Sequence, residues 1–121
     1  MSHTVKAKFQ IDETNIDALR KVIEASDNAT WLGQGTYPLF SEQLTGEAFK
    51  LKNWKYPCVV TEEGLQYDNY KGHWGKQAEL DEIIQRTVEH VVTESAAMSG
   101  FIPYGSEFND EGQLVVTLRT Y

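Results

Sequence analysis

Positive charge is scarce in this 121-residue chain: eleven Lys and Arg stand against eighteen Asp and Glu, a net −7, with three His as the only near-neutral titrators. That balance excludes a protein that binds nucleic acid or anionic membrane with its whole surface, since both require positive charge to displace counterions. Cysteine is scarcer still. Cys58 stands alone, which excludes an internal disulfide and a Cys-rich zinc site. No apolar run approaches the ~20 residues of a membrane-spanning helix, and residues 1–8 lack the apolar region of a secretory signal. A cytoplasmic protein without membrane contact is therefore expected. Asn28-Ala29-Thr30 matches a glycosylation acceptor, but without a signal sequence it reads as a polar turn. There is no linker, low-complexity tract or short repeat.

What is present is globular. Hydrophobic residues at 40%, aromatics at 12% and charged residues at 24% suit a folded chain, and the length suits one domain over residues 1–121. Residues 5–11 alternate, with Val5, Ala7, Phe9 and Ile11 on one face and Lys6, Lys8 and Gln10 on the other. That is a strand with one wet side. Asp12 is a helix cap, and Ile16, Leu19, Val22 and Ile23 recur at helical spacing until Ser26-Asp27-Asn28 ends the helix.

The middle is β-rich. Residues 30–37 carry Trp31 and Tyr37 around Gly33 and Gly35, the mark of a bulged strand. Pro38 and residues 41–46 read as a loop, and residues 47–54 alternate again, with Phe49, Leu51 and Asn53 opposite Ala48, Lys50, Lys52 and Trp54. Residues 56–61 and 65–70 form a hairpin around Glu62-Glu63-Gly64, interrupted by Gly72-His73-Trp74-Gly75. From 76 to 99, Leu80, Ile83, Ile84, Val88, Val91, Ser95 and Met98 trace one helical stripe, which Gly100 stops. Residues 101–108 and 113–121 close the chain as a hairpin, with Leu114, Val116 and Leu118 on one face. Strand–helix, several strands, helix, strands is an α+β order. The expected fold is a ferredoxin-like split βαβ arrangement: a mainly antiparallel sheet, two helices on one face and an added hairpin.

Several short motifs recur in a familiar sequence: the Met1-Ser2-His3 opening, Tyr67, His73-Trp74-Gly75, Gln85-Arg86, Gly100-Phe101, Asp110-Glu111-Gly112 and the strand at 114–119. Taken in order, the chain resembles the hypothetical chloroplast reading frame thirty-five family of plastids and cyanobacteria, most closely from Tyr67 onward. It departs from that family at Thr87, where a tyrosine is usual after the Gln-Arg pair, and at residues 41–46, which look inserted. The resemblance implies a cyanobacterial or related-phage context and no established activity.

The chemistry-bearing residues are few. His73 sits in a glycine-flanked turn close to Asp68, the arrangement of a general base and its orienting carboxylate; the plainer reading is that His73 and Trp74 anchor the loop over the sheet. His90 shares a helix flank with Arg86 and Glu94, the spacing of a solvated polar ladder. Cys58 reads as a small buried hydrophobe. Gly33-Gln34-Gly35 lacks the third glycine and the strand-to-helix setting of a phosphate loop. No cofactor or metal site is expected.

Three functions stay open. The first is a small binding or regulatory domain acting through protein–protein contact, using Trp31, Tyr37, Phe40, Trp54, Tyr56, Tyr70, His73 and Trp74, since aromatics are enriched at interface hot spots. An unpaired edge strand within residues 30–61 also suits a homodimer. The second is a single-stranded nucleic-acid binder using Lys50, Lys52, Lys55, Trp54 and Tyr56; the plainer reading is that the lysine stems cover Trp54. Charge disfavours this one: residues 62–121 hold four basic against eleven acidic residues, while residues 1–61 balance at seven each. The third is an enzyme centred on His73.

Overall fold

A computed structural model of the chain describes residues 4–99, 101–110 and 113–120, with side chains over 10–94, 105–110 and 113–119. Met1-Ser2-His3, the Gly100 stop, Glu111-Gly112 and Tyr121 lie outside those residues, as do the side chains of Val5, Ala7, Phe9, Ser95 and Met98. In chain order the elements are β1 (Thr4–Phe9), a 3-10 turn (Glu13–Asn15), α1 (Ile16–Glu24), β2 (Ala29–Pro38), β3 (Gln43–Leu51), β4 (Cys58–Thr61) and β5 (Gly64–Gln66). A second 3-10 turn (Tyr70–Gly72), α2 (Gln77–Ser99), β6 (Phe101–Phe108) and β7 (Leu114–Thr120) complete the chain. Contacts group these into two compact units, one of residues 11–83 and one of the chain up to Gln10 with that from Ile84 onward.

In the first unit, Asp12 caps the 3-10 turn that leads into α1, and not α1 itself, whose first flanking residue is Asn15. The Asp12 side chain accepts the Thr14 N–H at 2.9 Å, and the Asp12 N–H reaches Asn15 Oδ1 at 3.0 Å, which satisfies donors that a helix start leaves open. Leu19 and Ile23, one turn apart, are fully buried; burial of each contributes about 1.5–3 kcal/mol. The unit's sheet has the order β2-β3-β4-β5 with every neighbour antiparallel. β2 carries the expected irregularity, a bulge between Trp31 and Gly33.

Residues 41–46 are not the loop the sequence suggests. The Leu39 N–H bonds to Glu42 O at 2.7 Å, closing a tight turn, and β3 is already paired at Gln43, opposite Pro38. β3 also stops short. Lys52 and Asn53 turn away after Leu51, so Trp54 leaves the pleat on which Lys50 lies. At its edges the sheet ends in β2, ten residues without a charged side chain, and β5, whose Leu65 N–H is taken by Ile11 O at 3.1 Å.

In the second unit β1, β7 and β6 form an antiparallel sheet of that order. The expected C-terminal hairpin is the β6–β7 pair, bulged between Pro103 and Gly105. Leu114 and Val116 bury the predicted face of β7 against Val88 and Val92, with Ile84, Phe108 and Leu118 around them. On α2 the buried stripe runs Leu80, Ile83, Thr87, Val88, Val92; Val91 is only half-buried.

The architecture is therefore α+β, with two helices, a four-stranded antiparallel sheet and a separate sheet holding the C-terminal hairpin. The ferredoxin-like split βαβ order does not occur among the described pairings. A βαβ unit returns its second strand parallel within the first strand's sheet, whereas α1 leads from β1 into β2, a strand of the other sheet. Short turns at 39–42 and 62–63 let β2 to β5 pair with their chain neighbours, which costs less loop-closure entropy than a crossover. Among the described residues no helix is long and apolar enough to cross a membrane.

Candidate functional site

The sequence singles out eight residues as one interaction surface, and the fold divides them. Trp54 goes to the core: it is 2% exposed, its Nε1 is buried with no hydrogen-bond partner among the described residues, and the Tyr67 ring meets it edge-on at 5.9 Å. Gly75 backs onto the same indole so closely that a Cβ there would overlap the ring. Glycine at 75 is thus a packing requirement, which explains the second glycine of Gly72-His73-Trp74-Gly75. Trp31 is half-buried on β2 opposite Phe49. Tyr37 packs on the Leu39, Ala48 and Val59 cluster and donates its hydroxyl to Gly33 O at 2.8 Å, holding the bulge. Neither is within ring contact of the remaining five.

Those five come together around Trp74. Tyr70 stacks on its indole at 4.7 Å and 25°, Phe40 lies tilted at 5.3 Å, and Tyr56 meets it edge-on at 5.4 Å. The His73 imidazole lies 5.1 Å from the Tyr70 ring. Phe40 is 68% exposed and Tyr70 58% exposed, so two large rings lean outward on a half-buried tryptophan. Lys55 places its ammonium 4.8 Å from the Trp74 centroid and 5.6 Å from that of Tyr56, within cation–π range.

The turn that presents Tyr70 is tightly built. Tyr70, Lys71 and Gly72 all have positive φ, at 45°, 55° and 96°. Glycine bears that conformation without cost, whereas each of the other two loses about 1–2 kcal/mol. Hydrogen bonds hold the turn. Asp68 Oδ1 accepts the Tyr70 N–H at 3.1 Å, Asn69 O accepts from Gly72 and Trp74 at 3.0 Å each, and Trp74 O accepts from Lys55 at 2.9 Å. Strain of this kind persists only where surrounding contacts over-determine it.

The Asp68 carboxylate therefore serves the Tyr70 backbone and does not orient His73. Among the described residues the His73 imidazole has no hydrogen-bonded carboxylate, and no group of three His, Cys, Asp or Glu is placed to hold a metal. His90 pairs with Glu94 at 3.3 Å along α2, as its spacing predicts. Cys58 is fully buried on β4, and burial pushes its thiol from 9.0 up to about 12. It is an unreactive core residue.

The lysine–aromatic strand of the nucleic-acid reading comes apart for the same reason that β3 stops at Leu51. Lys50 is half-buried with its ammonium 3.4 Å from Leu51 O. Lys52 lies in the following turn, and the buried Trp54 offers no face for a base. Only Lys55 and Tyr56 remain beside exposed rings.

Next to Phe40 and Tyr70 opens a groove of about 370 Å³ lined by Leu39, Glu42, Leu65, Gln66, Tyr67 and Asp68. A second depression of about 410 Å³, with Leu44, Thr61, Glu62 and Glu63 on its walls, shares Glu42 and Gln66 with it. As a group these carboxylates escape sequence reading: Glu62, Glu63 and Asp68 are read singly, as a turn and as a partner for His73, and only the fold sets Glu42 beside them. Compared with protein-family models, with curated proteins and with solved structures, the chain matches none.

Proposed function

We propose that the protein is a small cytoplasmic binding or regulatory domain that acts through protein–protein contact, with Phe40, Tyr56, Tyr70, His73 and Trp74 as its docking surface. The observation that carries this reading is the exposure of Phe40 and Tyr70 on the Trp74 indole. Single exposed apolar residues are ordinary, but a cluster of large rings held by a strained turn is the composition of an interface hot spot. The resemblance to the chloroplast reading frame family supplies a context and no activity, so the surface itself supports the function.

The test is capture of partners from a cyanobacterial lysate by the tagged wild-type chain and by a Phe40→Ser, Tyr70→Ser variant, each with and without nuclease. A protein recovered by the wild type, retained after nuclease and lost with the variant is the expected outcome. Equal recovery by both chains removes the aromatic surface from the contact.

A single-stranded nucleic-acid reading draws on the Lys55 ammonium beside Trp74 and Tyr56, since bases stack on exposed rings flanked by cations. The carboxylates of Glu42 and Asp68 beside the cluster oppose a polyanion, which is why protein contact is preferred. Recovery abolished by nuclease, and falling steeply with salt, would reverse that preference.

A further inference from the structure

The docking reading leaves the partner's chemistry open, and the groove beside the rings speaks to it. The two depressions adjoin at Glu42 and Gln66, and their walls carry Glu42, Glu62, Glu63 and Asp68 with no Lys or Arg among them. Apolar side chains, Leu39, Leu65, Tyr67 and Leu44, line the same walls; in sequence Phe40 stands between the lining residues Leu39 and Ser41, and Tyr70 two residues after Asp68. β3 pairs with β4 only over residues 47–49, so the backbone of residues 43–45 borders the groove without a strand on that side. The unit that holds this surface carries seven basic against thirteen acidic residues, so its field attracts cations toward the groove.

We infer that the occupant is a basic segment of a partner protein chain, its apolar residues on Phe40, Tyr70 and Trp74 and its Lys or Arg side chains over Glu42, Glu62, Glu63 and Asp68. This rests on the docking reading above. The rings supply contact area, and the carboxylates supply complementarity that selects a cationic partner and rejects an acidic one. Arg suits both ends, because its guanidinium stacks on aromatic faces and pairs with carboxylates.

The probes are two fluorescein-labelled peptides of equal length, an Arg-Pro-Tyr repeat and a Glu-Pro-Tyr repeat, titrated with the full chain by fluorescence anisotropy. The Arg peptide is expected to bind and the Glu peptide not to. A Glu42→Gln, Glu62→Gln, Glu63→Gln variant is expected to weaken the Arg peptide by roughly tenfold or more. A Glu24→Gln, Glu89→Gln, Glu107→Gln variant, equal in charge change but outside the groove, is expected to weaken it by less than about twofold.

Equal loss in the two variants would reduce the contact to general attraction by an acidic chain and overturn the inference, as would equal binding of the two peptides. Those results leave the docking reading standing if the Phe40→Ser, Tyr70→Ser chain still loses its captured partner. Loss of that dependence, with the carboxylate effect intact, sinks the docking reading instead.

Discussion

Cys58 and Trp54 mark how far single residues can be read. Cys58 follows Pro57 among Val59 and Val60, and nothing near it in sequence lowers a thiol pKa; its burial on β4 agrees with that reading. The pH consequence is a fall in stability on the alkaline side. In the unfolded chain the thiol ionises near 9.0, while in the folded chain burial holds its proton to about 12. Between those values the unfolded state binds fewer protons, so raising the pH favours unfolding. Urea unfolding of wild type and Cys58→Ala from neutrality upward checks this. The stability difference between the two is expected to stay constant below pH 9.0 and to shift against the wild type above it. A flat difference would mean that the thiol ionises freely in the fold. Trp54, by contrast, lies outside an alternation that looks continuous from 47 to 54. The pattern of residue types could not show that the pleat ends at Leu51 and turns the indole inward.

Elements were legible where the pattern was local and periodic. α1 and the β6–β7 hairpin fall where helical spacing and alternation put them, because their buried faces are set by residues three, four or two positions apart. On α2 the stripe shifts to Thr87 and Val92, within what helical geometry allows for a face that broad. The sequence reads residues 65–70 as a strand and a glycine-flanked interruption only at 72–75, whereas β5 ends at Gln66 and Tyr70–Gly72 is a 3-10 turn. Gly72 has φ 96°, so Gly72→Ala is expected to cost about 1–2 kcal/mol and to loosen the Tyr70 stack on Trp74. Chemical denaturation gives the first effect, and tryptophan fluorescence of the native state reports the second. An unchanged midpoint would show that the turn relaxes without penalty.

Across the whole molecule the charge is arranged differently from its order along the chain. By sequence the halves at residues 1–61 and 62–121 carry 0 and −7. By unit, residues 11–83 hold seven basic and thirteen acidic side chains, and the remainder four and five. The acidic excess is therefore gathered on the unit with the aromatic cluster. Self-repulsion of that excess opposes compaction and is screened within about 10 Å at ~0.1 M salt. The melting temperature is accordingly expected to rise by a few degrees between about 0.02 and 0.3 M NaCl, followed by circular dichroism. A falling or constant value would mean that the pairs lost to screening matter as much as the repulsion relieved.

The sequence by itself determined the α+β class, the two helices, the closing hairpin, the bulged strand and the burial of Cys58, because each depends on residues close together in the chain or on the order of elements along it. Only the tertiary structure decided that the strands divide between two sheets, that Trp54 is buried while Trp31 and Tyr37 stand half-buried apart from the ring cluster, and that Phe40, Tyr56, Tyr70 and His73 gather around Trp74. Those outcomes depend on where turns end strands and on which strands pair. A change of one residue in either alters the face each side chain occupies.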